Sequence, residues 1–151
     1  MAPDFTAPAA DSTGARVAPV ALHAMRGRVV VLAFYPKDRS GGCTAELTKF
    51  RDDYSRMFGN GVTVLPVSVD NMQSHMGWAR DMHFPFSLVS DMGGKIASEY
   101  GSLMANAPYA DRTVFVVGRD GKIVYRERHF RALDQHAYDA LAEAVSKAKG
   151  T

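Results

Sequence analysis

Seven consecutive residues, Val29-Val30-Val31-Leu32-Ala33-Phe34-Tyr35, form the longest apolar run in the chain. A strand points successive side chains to opposite faces, so an unbroken run of this length has to be covered on both sides. That requirement excludes an open sheet wetted on one face and asks for helices above and below a central strand. The run is strand-sized, far short of the ~18 apolar residues of a membrane helix. Pro36 halts it, and the polar turn Lys37-Asp38-Arg39-Ser40-Gly41-Gly42 leads to Cys43.

The other segments can be placed around this strand. Residues 1–28, rich in Ala, Pro and Gly, read as an extended arm or a hairpin. Leu47, Phe50, Tyr54 and Met57/Phe58 recur at three- and four-residue intervals, which predicts a helix from about Cys43 to Phe58, ended by Gly59-Asn60-Gly61. Val62 to Val69 reads as the second core strand, with a local irregularity or an edge-facing position expected at Pro66. Asn71 to Met82 is expected to be helical, Phe84 to Val89 a strand, and Gly94 to Tyr100 a short helix closed by Gly101. Thr113–Val117, the turn Gly118-Arg119-Asp120-Gly121 and Lys122–Tyr125 carry a hairpin signal. Asp134 to Ala148 is amphipathic, with Tyr138, Leu141, Ala142 and Val145 on one face. After the arm the order is β-α-β-α-β-α-β-β-α. It predicts an α/β fold of thioredoxin-like arrangement, a mixed central β-sheet flanked by helices, in a single domain over residues 1–151.

Composition narrows the function classes. The net charge of +2 is too mild to argue for a nucleic-acid or membrane partner. The basic cluster Arg126, Arg128, His129 and Arg131 reads as a solvated strand end. The five histidines lack ligand spacing, so no metal is expected. The first residues, Met1-Ala2-Pro3-Asp4-Phe5, show no basic region followed by an apolar one, so no signal peptide is read there and the cytoplasm is the expected compartment. One cysteine excludes a disulfide framework and a CxxC redox pair. A lone thiol is either inert packing or a reactive centre.

Its setting favours chemistry. Cys43 falls where a core strand has ended and a helix begins, and the unpaired first-turn amides and the helix dipole both favour a thiolate there. The same amides could bind an oxygen of an incoming substrate. Ser40 offers a hydroxyl able to donate to one atom while accepting from another. Glu46, one helical turn on, could orient an arginine, and Pro36 can exclude water without adding a competing donor.

The segment Phe34-Tyr35-Pro36-Lys37-Asp38-Arg39-Ser40-Gly41-Gly42-Cys43-Thr44-Ala45-Glu46 resembles the peroxiredoxin signature: proline, three residues, Thr or Ser, two residues, cysteine. FYPKD before the motif is similar to the bacterioferritin comigratory protein (PrxQ) branch of the AhpC/TSA family. Ala2-Pro3-Asp4-Phe5, Val67-Ser68-Val69-Asp70, Ser90-Asp91 and Arg112-Thr113 through Lys122-Ile123 resemble further segments of that family, in its order, over nearly the whole chain.

The resemblance implies a thiol-dependent peroxidase in which Cys43 attacks a hydroperoxide and becomes a sulfenic acid. Ser40, Arg112 and the amides around Cys43 and Thr44 would stabilise the leaving oxygen, Arg112 would favour the thiolate, and Glu46 would hold Arg112. No cofactor is implied. Ser40 stands where the family usually has threonine, and Thr48 stands where many members of the branch carry a resolving cysteine. The sulfenate would therefore be reduced by an external thiol: thioredoxin, glutaredoxin or a small thiol. The chain would act as a monomer or a homodimer. Two rival readings keep the same residues: a peroxide-sensing thiol relay, and a thioredoxin-like binding module whose cysteine is inert.

Overall fold

The arm is a hairpin. In the computed structural model, which describes residues 1–11 and 13–150, β1 (Thr6–Ala10) and β2 (Arg16–Ala21) pair antiparallel, and a turn of 3-10 helix follows at Leu22–Met25. Ser12, in the arm, and Thr151, the last residue of the predicted domain, lie outside the described residues.

The apolar run forms β3 (Val29–Phe34), with every residue buried. β3 pairs in parallel with β4 (Val62–Ser68) and antiparallel with β6 (Thr113–Val117). β5 (Leu88–Ser90) joins β4 to the hairpin, and β7 (Ile123–Glu127) closes the far edge. The result is one mixed seven-stranded sheet in the order β2-β1-β5-β4-β3-β6-β7.

The two-sided covering follows the strand period. Val29, Val31, Ala33 and Tyr35 enter one core, beneath α1 (Gly41–Asp52), α2 (Tyr54–Met57), α3 (Met72–Met82) and α5 (Gln135–Lys149). Val30, Leu32 and Phe34 enter the other, covered by the N-terminal arm and α4 (Lys95–Glu99). Among the described residues no helix is long and apolar enough to cross a membrane.

Two local expectations need correction, and a third is narrowed to one of its alternatives. The helix predicted over Cys43–Phe58 is two helices, because Asp53 leaves helical geometry at φ −104°, ψ 18°. Its carboxylate collects Lys49 at 2.9 Å and Arg56 at 3.0 Å, one from each side of the break. Of the two alternatives at Pro66 the irregularity is absent, the register running on with Ala33 opposite it, and the edge-facing position holds, because β5 pairs with β4 only from Val67. The strand expected at Phe84–Val89 pairs only from Leu88. Pro85 has no donor to offer, and Phe84 and Phe86 instead stack in the core with ring centroids 5.2 Å apart.

Candidate active site

The site is assembled where β3 delivers the chain into α1. One ladder bond continues past the end of the strand, from Tyr35 N–H to the Val67 carbonyl at 3.0 Å. The chain then turns through Pro36–Arg39. Arg39 takes a left-handed conformation, φ 65°, that carries strain for a residue with a β-carbon. Its guanidinium meets Asp81 of α3 at 2.7 Å. This turn brings Ser40 to the N-cap of α1 in extended geometry (φ −69°, ψ 155°), with no capping bond from its side chain. The helix therefore starts at Gly41, two residues before the predicted start, and Cys43 is its third residue.

That position decides which amides are free. The first intrahelical bond runs from Thr44 N–H to the Ser40 carbonyl at 2.8 Å. The Thr44 amide, expected to face substrate, is thus already bonded within the helix. The unpaired donors of the turn are the amides preceding it, with that of Cys43 next to the sulfur. Ser40 and Pro36 are partly exposed, so both can line an approach to the thiol. Cys43 itself has no exposed surface and packs in the same core as Tyr35, Leu47 and Phe50.

Arg112 enters from the residue before β6 and bonds Glu46 Oε1 through Nη1 at 3.0 Å, so the structure brings together these two predicted partners. The Glu46 side chain is fully buried and that of Arg112 is 20% exposed. Burial pushes the Glu46 carboxyl up to about 7, against the opposing pull of the guanidinium. Glu46 Oε2, buried, takes no hydrogen bond among the described residues.

The guanidinium lies against the first turn of α1. A β-carbon at Gly42 would stand 2.6 Å from Arg112 Nη2 and 3.2 Å from its Cζ. Gly42 is therefore a functional position that sequence reasoning missed. Its glycine was visible in the turn, but nothing local indicated that a side chain from residue 112 would occupy the space of its β-carbon. The arrangement places a thiol, a positive charge, a free hydroxyl and unpaired amides at one helix start, the constellation needed to stabilise an oxygen that leaves with negative charge.

The second missed group is His75. Sequence spacing showed no acidic partner for it, yet its Nδ1 lies 2.7 Å from Asp38 Oδ2, and both side chains are buried. Trp78, one turn on in α3, is core, 5.9 Å from the Tyr35 ring.

Comparison with known proteins is consistent across sequence and structure. Residues 1–126 match the model of the AhpC/TSA family. The chloroplastic peroxiredoxin Q of Sedum lineare is 35% identical over 115 residues, covering 73% of this chain and 61% of that protein. The chain thus spans less than two thirds of that plant relative. Among solved structures, the Xanthomonas campestris bacterioferritin comigratory protein, described for its alkyl peroxide reduction activity, superposes with a TM-score of 0.80 at 26% identity. The alignment covers 93% of this chain and 91% of that one. AhpC of Enterococcus faecalis shares the fold, with a TM-score of 0.85 at 23% identity over 97% of this chain and 89% of that one.

Proposed function

The chain belongs to the AhpC/TSA family, a family of thiol-dependent peroxidases, and we propose that Cys43 is its peroxidatic thiol, reducing hydrogen peroxide and small organic hydroperoxides, and that residues 1–151 form one domain. The observation that carries this reading is the placement of the chain's one cysteine in the first turn of α1, with Arg112 held against that turn by Glu46.

The reaction balances as follows. Cys43 Sγ, as thiolate, attacks the terminal oxygen of ROOH; the S–O bond forms as the O–O bond breaks. The electron pair leaves on RO⁻, which takes a proton and departs as water or an alcohol. Sulfur is oxidised to the sulfenic acid and the peroxide is reduced. Arg112 and the Cys43 amide act on the charge developing on the leaving oxygen. The Ser40 hydroxyl, uncommitted to capping, can accept from the peroxide and donate to its partner atom. Pro36 covers one side without competing for the hydrogen bonds. Glu46 positions Arg112.

With one cysteine in the chain, no internal disulfide can form. An external thiol therefore attacks the sulfenic sulfur, releasing water and leaving a mixed disulfide, and a second thiol frees Cys43. Thioredoxin, glutaredoxin and small thiols are the reductant classes to try.

The test is stopped-flow oxidation of the reduced protein by hydrogen peroxide, followed through Trp78, with Cys43→Ser as control. A second-order rate far above that of free cysteine, absent in the variant, is the expected result. A rate no better than free cysteine would refute the assignment.

A further inference from the structure

We infer that the buried Asp38–His75 pair is a positioning element for peroxide reduction, holding the loop that presents Pro36 and Ser40 to Cys43; the inference rests on the reading of Cys43 as the peroxidatic thiol. The two side chains come from different elements. Asp38 sits in the loop itself, two residues after Pro36 and two before Ser40, and His75 lies in the first turns of α3.

Every polar atom of the pair is engaged. His75 Nε2 lies 3.0 Å from the Val89 carbonyl, which can only accept, so this nitrogen donates. Nδ1 lies 2.7 Å from Asp38 Oδ2. The same carboxylate oxygen accepts from Ser74 Oγ at 2.7 Å, and Oδ1 accepts from the Tyr35 hydroxyl at 2.6 Å. Nδ1 and Asp38 Oδ2 share one proton across this contact, so the pair is a buried, fully hydrogen-bonded histidine–aspartate link. The loop backbone is tied as well: Asp38 N–H donates to Asp70 Oδ2 at 2.8 Å, and Asp70 also accepts from Ser68 Oγ at 2.6 Å. One carboxylate thus links the end of β3, the active-site loop, α3 and, through His75, β5.

Two apolar side chains could fill this space without the desolvation that buried polar groups incur. What the hydrogen bonds supply is direction: the loop has one place where all of them close. Ser40 has no capping bond of its own to fix it. Its orientation is set on the upstream side by Asp38, and on the downstream side by α1.

The proposal predicts a loss confined to peroxide. Alkylation of Cys43 by iodoacetamide needs the thiolate and access, but not the alignment of Ser40 and the loop with a leaving oxygen. The experiment measures both second-order rates on the full chain, together with the thermal midpoint, for wild type, His75→Gln and Tyr35→Phe. The peroxide rate itself should fall at least about tenfold in His75→Gln and about threefold in Tyr35→Phe, which removes one donor to Asp38 and keeps the ring, while the iodoacetamide rate stays within about twofold, so that the ratio falls through its numerator. A purely structural role would lower the midpoint and raise alkylation while leaving the peroxide rate within twofold, and that result overturns the proposal. Should His75→Gln not fold, an unchanged ratio in Tyr35→Phe overturns it equally. A wild-type peroxide rate no faster than free cysteine brings down the peroxidatic reading and this inference together. A fast wild type with unchanged ratios brings down this inference alone.

Discussion

At Gly42 the missing β-carbon makes room for the Arg112 guanidinium beside the sulfur-bearing turn. Gly42→Ala should therefore displace Arg112 from its place beside the turn and slow peroxide reduction about tenfold or more, which stopped-flow kinetics on the variant checks. Arg112→Ala removes the charge altogether and should cost about 10²-fold in the same rate. Glu46 adds a pH dependence of stability. Its carboxyl is raised from 4.5 to about 7 in the folded chain. Between those values the unfolded chain loses the proton that the folded chain keeps, so stability falls as pH rises through the window. The loss amounts to about 3 kcal/mol. Urea melts across this range should show the fall in wild type and lack it in Glu46→Gln.

Among the elements, those legible in the sequence were set by local chemistry. The continuous apolar run specified β3 and its burial on both faces, and the helices expected from Asn71 and from Asp134 form as α3 and α5, with those two residues as their N-caps. Asn71 accepts from the Ser74 N–H at 2.9 Å, and Asn71→Ala should cost about 1 kcal/mol in a denaturant melt, with the peroxide rate otherwise little changed. The break at Asp53 was hidden because Phe50, Tyr54 and Met57 keep the helical spacing across it. The strand expected before Leu88 failed because an apolar, aromatic stretch can enter a core without pairing. The site divides in the same way. Pro36, Ser40, Cys43 and Glu46 lie close together on the chain and could be read from spacing. Arg112 could be placed only through family resemblance. Asp38 and His75 are 37 residues apart, and their contact exists only once α3 packs against the active-site loop.

Across the whole molecule, one sheet separates two cores, and its central strand contributes alternate residues to both. Neither core can be lost without uncovering β3, so heating should give a single transition, with Trp78 fluorescence and far-UV circular dichroism melting together. Two separated transitions would show that the cores unfold independently. The seclusion of Cys43 has a practical consequence. Because it is the chain's one sulfhydryl and has no exposed surface, covalent labelling can occur only during excursions that uncover the first turn of α1. With a fast reagent in excess, the rate at which label accumulates becomes a clock for those excursions. The size of the largest reagent that still reacts measures how wide the doorway opens to admit a reductant.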